Sequence, residues 1–265
     1  MKRLGILALT LLLVACATSP TGRRQLTLFP DEDMNQLGLA AFTELKEAVP
    51  EESDAATRRY VVCIAEAIAA QAADETGVSQ WEVRVFRDET PNAFALPGGK
   101  IGVHTGLLDV AEDADQLAAV IGHEIGHVIA RHGNERMSQA YVAQAGLTLA
   151  QAFMKEKDPA QRDQIMGLLG VGTQLGVMLP FSRSHEREAD IIGQELMARA
   201  GFDPRASVKL WENMVRAGGT SPPEFLSTHP ASENRIRELE AHMDHSLALY
   251  RAARDAGLRP QCRRP

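Results

Sequence analysis

His123, Glu124 and His127 stand in the order H-E-x-x-H, within the run His123-Glu124-Ile125-Gly126-His127. On an α-helix, residues four apart lie on one face. His123 and His127 can therefore turn two imidazole nitrogens onto one metal ion. Glu124 lies beside them, where a carboxylate can handle the proton of a water molecule activated by that ion. The flanking residues predict the helix that this chemistry requires. Leu117, Val120, Ile121, Ile125, Val128 and Ile129 recur at the spacing of one buried helix face. Asp113 and Asp115 suit its start, and Gly133 suits its end.

A hydrolytic zinc keeps three protein ligands and leaves one position open, so two histidines are too few. The segment Ser184-His185-Glu186-Arg187-Glu188-Ala189-Asp190 opens a second predicted helix over 186–199. Glu186 and Asp190 are four apart and share a face. One of them can bind metal while the other orients a ligand histidine. Glu188 points elsewhere and is expected in solvent. Taken alone, a Glu-rich helix start reads as complementing the helix dipole. The upstream H-E-x-x-H gives it a second meaning.

Other elements must hold these helices in place. Residues 31–49 and 57–73 read as helices. Residues 81–86 alternate like a strand. Residues 92–96 and 100–104 flank Pro97-Gly98-Gly99, a turn signal that predicts a hairpin. A helix start at 105–110 leads into the metal helix, and the remainder is mainly helical. The predicted fold class is α+β, mainly α. Residues 164–181 are Gly-rich and apolar, and they read either as a core helix packed on the metal helix or as a mobile flap over the site or at a membrane interface.

The first residues have a different character. Lys2 and Arg3 precede an apolar run over 4–14, shorter than the roughly 20 residues that span a bilayer, which is the pattern of a secretory signal. Leu13-Val14-Ala15-Cys16 resembles a bacterial lipobox, which implies cleavage before Cys16 and lipidation there. Ala17 in place of Asp implies sorting to the outer membrane. The alternative is an ordinary secretory signal with an incidental cysteine. The expected organisation is a signal peptide at 1–15, a flexible tether at 16–30 with Pro20, Gly22 and Pro30, a catalytic domain at 31–245 and a tail at 246–265. Loss of Lys2 and Arg3 takes the formal charge from −7 to −9, which argues against a nucleic-acid partner. With Cys16 assigned to lipid, Cys63 and Cys262 remain. An oxidising compartment invites a disulfide between them, the alternative being two free thiols.

H-E-I-G-H, then E-x-E-A-D at 186–190, then Ser227-Thr228-His229-Pro230 with Arg235-Ile236, occur in one order, preceded by Pro91-Asn92-Ala93-Phe94-Ala95-Leu96-Pro97-Gly98-Gly99 and Thr105-Gly106-Leu107-Leu108. Over roughly 30–245 this set resembles the HtpX and CAAX-prenyl-protease type of gluzincin zinc metallopeptidase. With the lipobox, the nearest look is to periplasmic BepA- and LoiP-like lipoprotein peptidases. The long helical-repeat region of BepA-like chains has no counterpart in the short tail after Arg235.

The resemblance implies a zincin-like domain with a small sheet beside the metal helix, and one Zn2+ per chain. It implies His123, His127 and Glu186 as zinc ligands, Glu124 as general base and acid, and Asp190 as the group orienting a ligand. His229 would lie near the zinc, either stabilising an oxyanion or closing the metal as a fourth, inhibitory ligand, with Arg235 beside it. No motif position claims His104, His132 or His185. An extended substrate would add a strand along Asn92, Ala93 and Phe94, a mode that binds backbone more than side chains. The expected function is an envelope zinc endopeptidase, lipid-anchored in the periplasm at the outer membrane. Its partners would be unfolded or misfolded envelope proteins and the outer-membrane protein assembly machinery. The alternative is a chaperone or assembly factor whose proteolysis is latent or rare.

Overall fold

The computed structural model of the protein describes residues 16–153, 181–217, 224–229 and 233–265. The expectations for the signal peptide, and for the 164–181 segment up to Pro180, lie outside the described residues. In chain order the elements are β1 (Cys16–Thr18), β2 (Arg24–Leu26), α1 (Asp31–Ala48), α2 (Ala55–Ala69), α3 (Ala73–Thr76), β3 (Glu82–Phe86), β4 (Ala93–Leu96) and β5 (Lys100–His104). They continue as α4 (Ala114–Ile129), α5 (His132–Phe153), α6 (Arg183–Arg199), α7 (Ala206–Ala217), α8 (Glu224–Thr228) and α9 (Glu233–Asp255). Mainly helical with small sheets, the fold is of the class that the sequence predicts. It divides into two units, residues 1–30 with 131–180, and residues 31–130 with 181–265.

In the first unit the stretch expected as a flexible tether is structured. Strands β1 and β2 pair antiparallel, with Ala17 opposite Gln25. Arg23 forks onto the Glu135 carboxylate of α5 at 2.8 and 2.6 Å. Ser138 Oγ accepts the Leu28 N–H at 2.8 Å, and Asn134 Nδ2 donates to the Phe29 carbonyl at 2.7 Å. These partners lie more than a hundred residues along the chain, so local composition could not show them.

The second unit carries the sheet β3-β5-β4. The central strand β5 runs parallel to β3 and antiparallel to β4. The predicted hairpin is therefore present, with residues 82–86 added as a parallel third strand. Gly98 and Gly99 make its turn at φ 79° and 75°, where an L side chain would be strained. Helix α4 lies against this sheet. Asp113 caps it by accepting the Gln116 N–H at 2.8 Å. It ends at Ile129, before the predicted stop at Gly133, because Arg131 already turns into the left-handed region at φ 55°. Leu117, Ile121 and Ile125 are fully buried with Val61, Ile64 and Ile68 of α2. Each such side chain stabilises the fold by roughly 1.5–3 kcal/mol.

Helix α6 crosses α4 on glycine. A Cβ on Gly193 would lie 2.6 Å from the His123 nitrogen, and one on Gly126 would lie 2.8 Å from the Ala189 carbonyl oxygen. Only bare backbone allows this approach, and it brings the acidic face of α6 against the histidine face of α4. A disulfide joins Cys63 on α2 to Cys262 in the C-terminal tail, with Cα atoms 5.6 Å apart. No helix among the described residues is long and apolar enough to cross a membrane.

Candidate metal centre

Four buried side chains converge where α4, α6 and the end of α8 meet. His123 Nε2 lies 3.0 Å from His127 Nε2. The Glu186 carboxylate approaches both imidazoles at 3.5 Å. His229 Nδ1 stands 3.2 Å from His123 Nε2 and 3.1 Å from Glu186 Oε1. One donor atom from each of the four lies within 4.8 Å of all the others. Bonds of 2.0–2.1 Å to a tetrahedral ion put ligand atoms about 3.4 Å apart, close to these separations. The local charge also fits. Glu124, Glu186 and Asp190 are three buried carboxylates facing one guanidinium, Arg235. A dication would balance the difference, as a buried charge requires. The donors thus fit a borderline cation such as zinc.

A supporting layer fixes these donors. Asp190 Oδ1 is 2.9 Å from His123 Nδ1, which leaves Nε2 facing the cluster. Arg235 on α9 forks onto Asp190 with two contacts of 2.7 Å and reaches Glu186 Oε2 at 2.6 Å. Its guanidinium carbon lies 3.6 Å from the Trp211 ring centroid on α7. One planar cation therefore holds both acidic residues of α6, a geometry suited to arginine and not to lysine.

Electrostatics follow from burial and these pairs. Burial opposes a charge on His123, but hydrogen bonding to Asp190 and Glu186 outweighs it and pushes the imidazole up to about 9. Burial likewise opposes ionised Glu186, yet His123, His229 and Arg235 hold its carboxyl well below the usual range. For Glu124 burial wins: it pushes the carboxyl up despite the attraction of His229, His123 and Arg235. Its Oε1 accepts no hydrogen bond among the described residues and lies 3.6 Å from His229 Nε2. This buried oxygen has acceptor capacity to spare.

His229 is held as a plate between two others. Its ring stacks on Phe225 at 4.5 Å and on Phe181 at 5.2 Å, and Phe181 also lies 4.1 Å from the ring of His127. Sequence reasoning missed Trp211 and Phe225, whereas Phe181 ends the 164–181 segment, one reading of which is a flap over the site. Apolar spacing could mark Trp211 and Phe225 as buried, but not as contacts of the site.

The structure gathers His123, Glu124, His127, Glu186, Asp190, His229 and Arg235 into one site. It places the expected substrate strand differently in detail. Asn92 accepts the His104 N–H at 3.0 Å. By the antiparallel alternation, Asn92, Phe94 and Leu96 therefore spend their main-chain groups on β5, while Ala93 and Ala95 turn theirs outward. The Phe94 ring packs with Phe42, Phe86 and His104. Glu188, expected in solvent, is buried at 3% exposure, because the face beside the acidic stripe is covered as well. His104 bonds Thr90 Oγ1 at 3.1 Å, and His132 and His185 are buried.

Comparison with known proteins places this geometry. The family model described as Peptidase family M48 matches residues 55–243. The chain is 43% identical over 163 residues to the mitochondrial metalloendopeptidase OMA1 of Schizosaccharomyces pombe, covering 61% of this chain and 46% of that protein. It is 40% identical over 178 residues to the Arabidopsis thaliana protein of the same name, covering 66% and 34%. The beta-barrel assembly-enhancing protease of Escherichia coli is 32% identical over 160 residues, covering 58% and 32%. The chain thus spans less than half the length of each of these relatives.

These matches correct the expected location. A periplasmic protein, lipid-anchored through Cys16 at the outer membrane, rested on a few residues around that cysteine. The more similar relatives are mitochondrial, and the bacterial protease is a lower match. Residue Cys16 itself pairs with Leu26 in the β1–β2 ladder. The leaning towards BepA and LoiP gives way for the same reason. What the family model and the site support together is the broader assignment: the chain belongs to peptidase family M48.

Proposed function

We propose that the chain is a zinc-dependent endopeptidase acting on unfolded segments of other proteins. The observation that carries this is the buried, hydrogen-bond-poor Glu124 carboxylate beside a cluster of two histidines and a glutamate. A protein that only held a metal or a chain would have no use for it. In this reading His123, His127 and Glu186 hold the ion. When bound, zinc supplies a Lewis acid that polarises the peptide carbonyl and acidifies water. Glu124 takes the proton of the attacking water and passes it to the leaving amine. Burial raises the proton affinity of its carboxyl and suits it to that exchange. His229 Nε2 can donate to the developing oxyanion. The main chain of Ala95, on the side of β4 away from β5, aligns an extended substrate as an added strand. Such binding reads backbone and therefore selects unfolded segments.

Glu124→Gln should retain the metal and lose cleavage of casein by about 10²–10⁴-fold. Undiminished cleavage at full metal content would sink the reading.

A second reading rests on His229. Its Nδ1 lies within the donor cluster, and a fourth protein ligand closes the position that hydrolysis needs. The chain would then hold unfolded partners and cut them rarely. His229→Ala should speed cleavage if the residue is a brake, and slow it if the residue serves the oxyanion.

A further inference from the structure

Away from the metal centre, α6 and α9 meet at a second constellation. His242 and His245 are three apart on α9 and share a face. Glu195 of α6 faces them. His242 Nε2 lies 2.8 Å from Glu195 Oε1, and His245 Nε2 lies 3.6 Å from the same oxygen. The two imidazole rings are 5.0 Å apart, and a donor atom from each of the three residues lies within 4.8 Å of the others. Glu195 sits nine positions after Glu186, or about 13 Å along the helix. No side chain is shared with the centre already described.

We propose that Glu195, His242 and His245 form a second metal site, for a first-row divalent cation of the zinc, copper or nickel type. Two imidazoles and one carboxylate are the donor set that such ions prefer over magnesium or calcium. The separations of 2.8 and 3.6 Å bracket the roughly 3.4 Å between neighbouring ligands of a tetrahedral ion. Two histidines on a single carboxylate oxygen are satisfied together by a cation between them.

The frame around the trio is already fixed. Gln194, next to Glu195, donates to the Leu239 carbonyl at 3.3 Å and accepts from Ser246 Oγ at 2.8 Å. Side-chain exposures are 29% for Glu195, 25% for His242 and 57% for His245. Solvent can therefore deliver the ion and complete its coordination. The ion would clamp α6, which carries Glu186 and Asp190, to α9, which carries Arg235.

The test uses the full chain carrying the metal of its first site, titrated with Zn2+ and followed by equilibrium dialysis with elemental analysis and by thermal unfolding. The wild type should take up a second equivalent, with a saturable rise in Tm of roughly 3–6 °C at tenfold excess over Kd. His242→Asn with His245→Asn should abolish both effects while circular dichroism stays unchanged. Glu195→Gln should weaken the second Kd at least about tenfold. With Cu2+ as probe, electron paramagnetic resonance of the wild type should show coupling to two imidazole nitrogens, lost in the double variant. The proposal is overturned if the double variant binds the second equivalent as tightly as the wild type, since the ion then lies elsewhere. It is equally overturned if the wild type binds no second ion up to about 100 μM.

Discussion

Arg235 lies over Trp211, its guanidinium carbon 3.6 Å from the ring centroid, and from there it reaches Asp190 and Glu186 at once. The indole sets the plane of the guanidinium, and that plane sets both carboxylates of α6. The metal centre is thus built from three depths of side chain, of which the deepest is an aromatic ring on α7.

Arg235→Lys keeps the charge but loses the planar fork and the stacking. The metal affinity should fall about 10–100-fold, the usual cost of losing a partner that orients ligands. Competition against a chromophoric chelator measures this. Wild-type affinity in the variant would show that charge alone suffices at this position.

Gly193→Ala should push α6 off α4, because the new Cβ would sit 2.6 Å from the His123 nitrogen. Overpacking of this kind costs about 1–3 kcal/mol. The expected result is a lower Tm together with weakened metal binding. Gly146→Ala in α5 is the contrast, since nothing lies within 4 Å of its Cβ position. That change should stabilise the helix by roughly 0.5–1 kcal/mol and leave metal binding alone. Similar behaviour of the two variants would contradict the crossing argument.

His123 is raised from 6.5 to about 9. A histidine that holds its proton more tightly when folded contributes stability that is full below 6.5 and lost as pH rises through about 9. Chelator-treated protein should therefore lose Tm across that window. Zinc-loaded protein should show much less of this slope, because the ion takes the place of the proton. Melting curves of both forms from pH 6 to 9.5 make the comparison, and identical slopes would count against His123 as a ligand.

Ala95→Pro removes one N–H that faces outward from β4, at an edge where proline is tolerated. KM for an unfolded substrate should rise several-fold with metal content and circular dichroism unchanged. An unaltered KM would move the substrate off this edge.

Much of the site was legible because its chemistry repeats along single helices. His123 and His127, and Glu186 and Asp190, declare their shared faces by a spacing of four. His229 and Arg235 were reached only through motif order, since nothing in their local sequence points to a metal. Trp211 and Phe225 escape notice because an apolar residue looks the same whether it fills a core or props a ligand. Glu188 was misread because spacing gives a side chain's direction but not what lies there. The 16–30 hairpin stayed hidden behind Glu135 and Ser138, and local punctuation by proline and glycine suggested a tether instead. Location was misread for a related reason: a few residues around Cys16 carried an expectation that much longer matches overturn.

The Cys63–Cys262 bond closes a covalent ring with a sequence separation of 199 residues, and every residue of the metal centre belongs to that ring. A single break in the backbone anywhere inside it opens the ring without freeing a fragment. Nicked and intact chains would then have the same mass, apart from one water, until a reductant separates them, and the α4 and α6 halves of the candidate metal centre would stay tethered to each other.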